Sequence, residues 1–150
     1  MAEYVENAVQ VVALNNPILF NDSIPCNKGY VYHDDSTGVF ILKGCTPNCF
    51  ARYSVTFNGN IAIPTGGAVT PIAVSISTEG ETRPTSRAIY TPAAVDEYGN
   101  VTSTALITVP KGCCFSLSVR YVDATEADAA TTPTPSIEVQ NANLVINRVA

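Results

Sequence analysis

Alternation of apolar and polar residues is clearest between positions 100 and 121. Every second residue from 101 to 109 points to one side, and apolar and polar residues alternate again from 115 to 119, which is the period of a β-strand. Pro110 has no N–H to donate to a ladder and Gly112 tolerates a positive φ, so the Pro-Lys-Gly between the two runs predicts a turn. We therefore predict two strands joined as a β-hairpin.

Shorter runs along the chain predict the other strands. Positions 50 to 57 and 72 to 76 alternate, whereas positions 39 to 42 are continuously apolar, as expected of a strand buried on both faces. Asn58-Gly59-Asn60 carries a strong hairpin-turn signal, although the isoleucines beyond it leave open a single long, kinked strand. About eight to ten strands with frequent turns predict an all-β protein, a jelly-roll β-sandwich of two antiparallel sheets.

The last predicted strand, from 137 to 149, is apolar on both faces. Only one face of a sheet can meet the core of a two-sheet domain, so we predict that the other is a subunit interface, and the sequence leaves open which face that is. Leu106 supports the same argument because it is out of phase with its apolar neighbours. Leaving such faces in water is unfavourable, so we predict a homotrimer. The candidate interface residues are Leu106, Leu144, Val145, Ile146 and Val149.

The first twenty residues are predicted to form a segment distinct from the jelly-roll domain of residues 21–150. One interpretation is that residues 1–20 dock on a larger assembly while the jelly roll projects from it. The other interpretation is that they add an edge strand to their own sheet. The candidate docking side chains are Val9, Val11, Val12, Ile18 and Phe20.

The composition is 46% hydrophobic but only 14% charged over 150 residues, the length of one domain. So low a share of charge indicates that part of the surface is covered by another copy or by another protein. The net charge of −5, with basic residues scattered along the chain, argues against nucleic acid as a partner. No apolar run approaches the length of a membrane span and the first residues lack the features of a signal peptide, so we expect synthesis in the cytosol and no membrane partner.

Five cysteines, at positions 26, 45, 49, 113 and 114, are an odd number and include an adjacent pair. Adjacent residues of a strand face opposite sides of the sheet, so this pair cannot serve one compact site. The C-x3-C spacing of Cys45 and Cys49 is at most half of a zinc site, since His33 is the single histidine. We therefore expect five free thiols in a reducing compartment and no metal.

Motifs for catalysis are not evident in the sequence. It has neither a G-x-S-x-G elbow nor a phosphate-binding glycine loop. His33-Asp34-Asp35 is followed by a Ser-Thr-Gly turn, and the carboxylate pairs at 79 and 81 and at 96 and 97 also lie in predicted turns, where carboxylates are normally solvated. We therefore expect that the protein is not an enzyme and has no cofactor.

Four stretches spread over most of the chain carry a resemblance to a known family. They are FARYSVTFNGNIAI, PIAVSISTEGE, NVTSTALITVPKGCCFSLSVRY and NANLVINRV. In their order they resemble the jelly roll of the tumour necrosis factor and complement globular-head superfamily. The resemblance implies a TNF-like fold and a compact trimer whose last strand lies at the threefold axis.

The whole chain, in particular MAEYVENAVQ and NNPILFNDSIPCNKGYVYHDDSTGVFILKG, also resembles small head-associated proteins of tailed bacteriophages. This resemblance implies a structural virion protein, either a capsid decoration protein or a head-fibre protein, whose partner is the phage major capsid protein. Such a protein would be made in the bacterial host cytoplasm and found on the capsid surface. No catalytic or ligand-binding residues come with the resemblance.

The alternative function, from a different class, is a TNF-like carbohydrate- or protein-binding module that recognises a host surface. Exposed loops at 64–69 and at 123–135, the second of them expected to be mobile, would carry this binding. Tyr90 and Tyr98 are the candidate residues because tyrosine rings stack on sugars.

Overall fold

A computed structural model describes residues 2–24, 29–124 and 134–150. Within these ranges the chain forms twelve β-strands and one short 3-10 helix, Pro84–Ser86. The strands are β1 Ala2–Glu6, β2 Gln10–Ala13, β3 Asp22–Ile24, β4 Val31–His33, β5 Phe40–Lys43, β6 Phe50–Ala62, β7 Ile72–Thr78, β8 Glu81–Thr82, β9 Ala88–Tyr90, β10 Gly99–Pro110, β11 Cys114–Val122 and β12 Ser136–Arg148. No helix in the described ranges is long and apolar enough to cross a membrane.

The strands form two antiparallel sheets of six strands each. Sheet A has the order β10-β6-β12-β1-β3, with β2 also paired to β12, and sheet B has the order β4-β5-β11-β7-β8, with β9 also paired to β7. Alternate residues of both sheets meet in one core, whose largest buried side chains include Tyr53, Phe57, Phe40 and Tyr121. The prediction of an all-β sandwich of two antiparallel sheets is confirmed.

The predicted hairpin between positions 100 and 121 is wrong, although both of its strands exist. β10 pairs with β6 along its whole length in sheet A, whereas β11 pairs with β5 and β7 in sheet B. The turn itself forms, because the N–H of Cys113 donates to the carbonyl oxygen of Pro110 at 3.0 Å and Gly112 has φ +79°. The turn therefore carries the chain from one sheet to the other. Alternation identifies a strand but does not identify its partner.

β6 runs straight through the Asn-Gly-Asn sequence that carries the hairpin signal. Gly59 pairs with Val101 in the ladder, and a Cβ at this glycine would lie 2.8 Å from the ring of Phe57. The glycine therefore makes room for an aromatic ring of the core rather than for a turn. Of the two alternatives left open by the sequence, the single long strand is the one observed.

A β-bulge lies in β12 between Gln140 and Asn143, where β12 has one extra residue relative to β6. Before the bulge the odd-numbered residues of β12 face the core, and after it the even-numbered residues do. Asn141 has a positive φ of 55°, which asparagine tolerates better than most residues. The extra residue thus allows both halves of the strand to present apolar side chains to one core.

The N-terminal segment is an integral part of sheet A. β1 lies between β12 and β3, and β2 pairs with the first residues of β12. Val12, Ile18 and Phe20 are buried in the core of this chain, so they are corrected from docking candidates to core residues. A side chain that already packs inside the sandwich is out of reach of a partner. Val9 and Val11 do face solvent, at 50% and 67% exposure.

Candidate functional site on the outward face of sheet A

The outward face of sheet A carries a continuous surface without charged side chains. Across β10, β6 and β12 the register aligns four successive rows of three outward residues, and the residues between them along each strand, apart from Asn141 at the bulge, face the core. We call this surface the uncharged patch. Its rows are Asn100, Asn60 and Gln140, then Thr102, Asn58 and Asn143, then Thr104, Thr56 and Val145, and then Leu106, Ser54 and Asn147.

Apolar side chains lie at one end of the uncharged patch. Leu106 is 52% exposed and is paired with Ser54, and Val145 is half-buried opposite Thr56. Val149 follows β12 and is exposed beside the patch, where its N–H donates to the carbonyl oxygen of Arg52 at 2.9 Å. These three of the five interface candidates, Leu106, Val145 and Val149, stand on the outward face.

Leu144 and Ile146, the other two interface candidates, are buried in the core of the sandwich. They are corrected to core residues, because the bulge in β12 sets the phase that turns even-numbered positions inward. The face of the last strand that is available to a partner is therefore the one that carries Val145.

Amide side chains occupy the other end of the uncharged patch and bond to one another. The Nδ2 of Asn100 donates to Oδ1 of Asn58 at 2.8 Å and to Oδ1 of Asn60 at 3.2 Å. At the margin, Nδ2 of Asn143 donates to Oε1 of Glu3 at 2.6 Å. Sequence reasoning missed these amides. Their signal was asparagine at alternate positions of predicted strands, where asparagine is normally depleted.

Tyr98 lies at this end of the patch. It directly precedes β10, and its hydroxyl donates to Oε2 of Glu138 at 2.8 Å. Glu138 pairs with Ala62 of β6, and Ala62 is fully buried although it lies on the outward side. Burial, followed by the hydrogen bond to Glu138, raises the pKa of Tyr98 to about 12. The phenol is therefore a neutral hydrogen-bond donor at physiological pH, with 37% of the residue exposed.

Tyr90, the second candidate for stacking on a sugar, is not beside Tyr98. Its ring packs against Gly99, where a Cβ would collide with the ring, and its hydroxyl donates to the carbonyl oxygen of Glu97 at 3.4 Å. Position 99 has the inward phase of β10, so the two tyrosines lie on opposite sides of sheet A. Of the proposed binding loops, residues 125–133 lie outside the described residues.

The polar groups around His33 that the sequence singled out make contacts within their own turn and with the core. Asp34 lies in a turn as predicted, with its carbonyl oxygen accepting from the N–H of Thr37 at 3.2 Å. The ring of His33 stacks on Phe40 at 4.2 Å between centroids, and its Nε2 lies 2.9 Å from the carbonyl oxygen of Thr37. No three metal-ligating side chains among the described residues come together.

Comparison with known proteins identifies the fold of this chain. No family model and no curated protein matches the chain. Among solved structures, the globular domain of zebrafish complement 1qA protein is similar with a TM-score of 0.58 and 15% identity, over 96% of this chain and 94% of that one. Eiger TNF from S. frugiperda is similar with a TM-score of 0.65 and 13% identity, over 100% of this chain and 92% of that one. The protein is a TNF-like jelly-roll sandwich, as predicted.

Proposed function

We propose that the protein is a non-catalytic assembly module that forms a homotrimer through the uncharged patch. The observation that carries this proposal is that twelve adjacent outward positions on three strands contain no Lys, Arg, Asp or Glu and include the exposed Leu106. Charged residues are depleted in the buried centres of protein interfaces, because a charge that loses water without gaining a partner is costly. A face that stays in water has no such constraint.

The position of β10 supports the same proposal. β10 ends the strand order of sheet A, so one side of a twelve-residue strand has no partner strand in the described ranges. Proteins usually protect such edges with lysine, with an internal proline or with a bulge. β10 has none of these before its final Pro110, and its outward side chains up to that residue are Asn100, three threonines and Leu106. A neighbouring subunit would cover this edge together with the patch.

Three copies are proposed because the resemblance found in the sequence implies a last strand at a threefold axis, and the TNF-like fold supports it. β12, the last strand, lies in the middle of sheet A and its outward face holds one third of the patch, as such an arrangement requires.

Replacing Leu106 by Asp tests the assembly. We expect the wild-type chain to sediment at three times the chain mass of 15.9 kDa at micromolar concentration, and Leu106→Asp to sediment as a folded monomer. The matched control is Ile89→Asp, because Ile89 is an equally exposed aliphatic residue on sheet B. A monomeric wild-type chain would contradict the proposal, and so would an equal loss of assembly in both variants.

We further propose that this trimer is a structural virion protein, a capsid decoration or head-fibre protein of a tailed bacteriophage. The support is the resemblance of the whole chain together with the exposure of Val9 and Val11 near β2, which gives the major capsid protein an apolar contact. Mass spectrometry of purified virions from the producing cells should find the chain on the capsid. Its absence from the particles would contradict this proposal and leave the trimer intact.

Binding of a host carbohydrate is the second candidate function. It is favoured by the exposed ring of Tyr98 beside the carboxylate of Glu138, a combination of stacking surface and hydrogen-bonding group that suits a sugar and lies outside the uncharged patch. On a glycan array, Tyr98→Ala should abolish binding that Tyr98→Phe keeps. If the wild-type chain binds no glycan on the array, the assembly function stands alone.

A further inference from the structure

Charged side chains are distributed unevenly between the two ends of the sandwich. At one end the turn from Pro110 to Cys113 carries the chain from sheet A to sheet B, and Pro110 pairs there with Phe50. At the other end Gly99, the first residue of β10, pairs with Ile61. A strand rises about 3.3 Å per residue, so the two ends of β10 are roughly 35 Å apart.

Basic side chains occupy the end that contains the Pro110 turn, which we call the basic end. The connections at this end, residues 44–49 and 111–113, contain no Asp or Glu. On sheet B the turn after β7 holds Glu79 and Glu81, and the carboxylate of Glu79 already accepts from the N–H of Ser116. The basic side chains lie in the Pro110 turn or within three residues of a strand end, and they are Lys43, Arg52, Lys111 and Arg148.

The two arginines of the basic end contact aromatic rings of their own chain. The guanidinium of Arg52 lies 4.7 Å from the ring centroid of Phe50, and that of Arg148 lies 4.2 Å from the ring centroid of Tyr30. An aromatic ring attracts a cation through its quadrupole but carries no net charge. These contacts position the guanidinium groups and leave their positive charge in place.

Carboxylates occupy the opposite end, which we call the acidic end. The connections 64–71 and 91–98 at this end contain no Lys, Arg or His. Asp96 is held here because its N–H donates to the carbonyl oxygen of Ile63 at 2.8 Å. Asp96 and Glu97 are exposed, and Glu138 pairs with the last residue of β6. The acidic end therefore has the charge opposite to that of the basic end.

We propose that the basic end of one assembly docks on the acidic end of the next, so that copies of this chain stack end to end. The argument for a second copy as the partner is charge complementarity, because one chain carries both of the surfaces that such a contact needs. A contact between two different surfaces of the same chain does not close on itself when the copies follow one another in line. Its repetition builds a filament.

The stacking deepens the assembly function proposed above and rests on the trimer for its strength. A single exposed ion pair contributes little to binding. A threefold axis along the last strand leaves the direction of each sandwich unchanged, so the three basic ends of a trimer point the same way. Three sets of charges then engage together, which raises the affinity beyond that of one set. Of the two virion proteins proposed, stacking favours the head-fibre protein.

Salt dependence tests the stacking in the full chain. The Debye length is about 30 Å at 0.01 M salt and falls below about 10 Å above 0.1 M, so the attraction between the ends is strong only at low salt. In sedimentation at neutral pH we expect species larger than a trimer at about 0.01 M NaCl and trimers alone at about 0.5 M. Trimers alone at both concentrations would overturn the stacking and leave the trimer intact, whereas monomers at high salt would contradict the trimer itself.

Two charge reversals test which surfaces meet. Lys111→Glu weakens the basic end and Glu97→Lys weakens the acidic end, so each variant alone should lose most of the association at low salt. In an equimolar mixture, the intact acidic end of the first variant can meet the intact basic end of the second. We therefore expect paired trimers to return in the mixture.

The matched control is Arg83→Glu, which makes the same change of charge on sheet B, next to Ile76 in the middle of β7. This variant should keep the association at low salt. Equal loss in Arg83→Glu and Lys111→Glu would mean that net charge alone matters, and a mixture without paired trimers would mean that the two ends do not meet. Either result would overturn the stacking.

Discussion

Polar residues on the outward sides of the two sheets differ in burial. In β7 of sheet B, Ser75 and Ser77 lie between the core positions and yet are fully buried. The Oγ of Ser75 donates to the carbonyl oxygen of Arg83 at 2.9 Å and lies 2.9 Å from Oγ of Ser86, so the chain covers its own serines. In β10 of sheet A, Thr102 and Thr104 stand exposed at equivalent positions.

The difference shows that small polar residues on the outward side of a strand have two uses. On sheet B they are satisfied within the chain, by the segment that contains the 3-10 helix, and they contribute to the fold of the monomer. On sheet A the uncharged patch is left open by the described residues, and its amides and hydroxyls are available to a second molecule. The solvent exposure of the side chain distinguishes these two uses, whereas the type of residue does not.

Inserting one alanine between Asn143 and Leu144 should have the largest effect, because it reverses the phase of β12 after the bulge. The half of β12 that contains Leu144 and Ile146 would turn outward or lose its pairing with β6. We expect the free energy of unfolding to fall by more than about 4 kcal/mol, which is a large fraction of the stability of most domains. Urea denaturation followed by circular dichroism measures this loss.

The control for that experiment is insertion of one alanine after Ala68, an exposed residue of the connection between β6 and β7. Loop insertions of this kind cost about 1 kcal/mol or less. Equal stability of the two insertion variants would mean that β12 tolerates either phase, and the distinction between its faces would be lost.

Replacing Ser86 by Ala tests the contrast between the polar residues of the two sheets. The N–H of Ile76 donates to Oγ of Ser86 at 3.0 Å, and the hydroxyl in turn donates to the carbonyl oxygen of Arg83 at 2.7 Å. Loss of the hydroxyl leaves a buried N–H without its partner, so we expect the free energy of unfolding to fall by about 1–3 kcal/mol. Ser54→Ala, in the uncharged patch, should change it by no more than about 0.5 kcal/mol.

Both serine variants are best measured by urea denaturation in the Leu106→Asp background, where subunit association does not contribute. If Ser54→Ala lowered the free energy of unfolding as much as Ser86→Ala in that background, the patch would contribute to the stability of the monomer. It would then not be a surface reserved for a partner.

Raising the pH into the alkaline range should lower the free energy of unfolding by a smaller amount. The loss should differ between Tyr121 and Tyr98. Burial and the neighbouring Asp123 raise the pKa of Tyr121 to about 12, and the pKa of Tyr98 is also about 12. Because both folded-state values exceed the usual 10, the stability they contribute is fully present below pH 10 and is lost as the pH rises towards 12. We expect a loss of up to about 2 kcal/mol from the buried Tyr121 and less from Tyr98, which water screens.

Chemical denaturation at pH 9, 10 and 11 measures this loss in Tyr121→Phe and Tyr98→Phe. The Tyr121 variant should show a weaker pH dependence than the wild-type chain, and the Tyr98 variant should differ from it less. An unchanged slope in both variants would contradict the role given to these two phenols.

The local pattern of the sequence determined where the strands lie and which side of most strands faces the core. The runs around β6, β7 and β10 were predicted from alternation alone, because side-chain direction along a strand repeats every two residues whatever lies beside it. The low share of charged residues, 14%, also predicted a covered surface, and this stays a prediction. The turn at Pro110 to Gly112 could be predicted because proline and glycine restrict or free the backbone of their own residues.

Only the tertiary structure determined which strands pair with one another. β10 and β11 are adjacent in sequence but lie in different sheets, since pairing depends on distant strands such as β6 and β7. The same holds for Gly59, whose surroundings include a ring of the core, and for Leu144 and Ile146, whose direction depends on a bulge against another strand. Partner choice, register and bulges are set by contacts between residues far apart in the chain, and alternation within one strand carries no information about them.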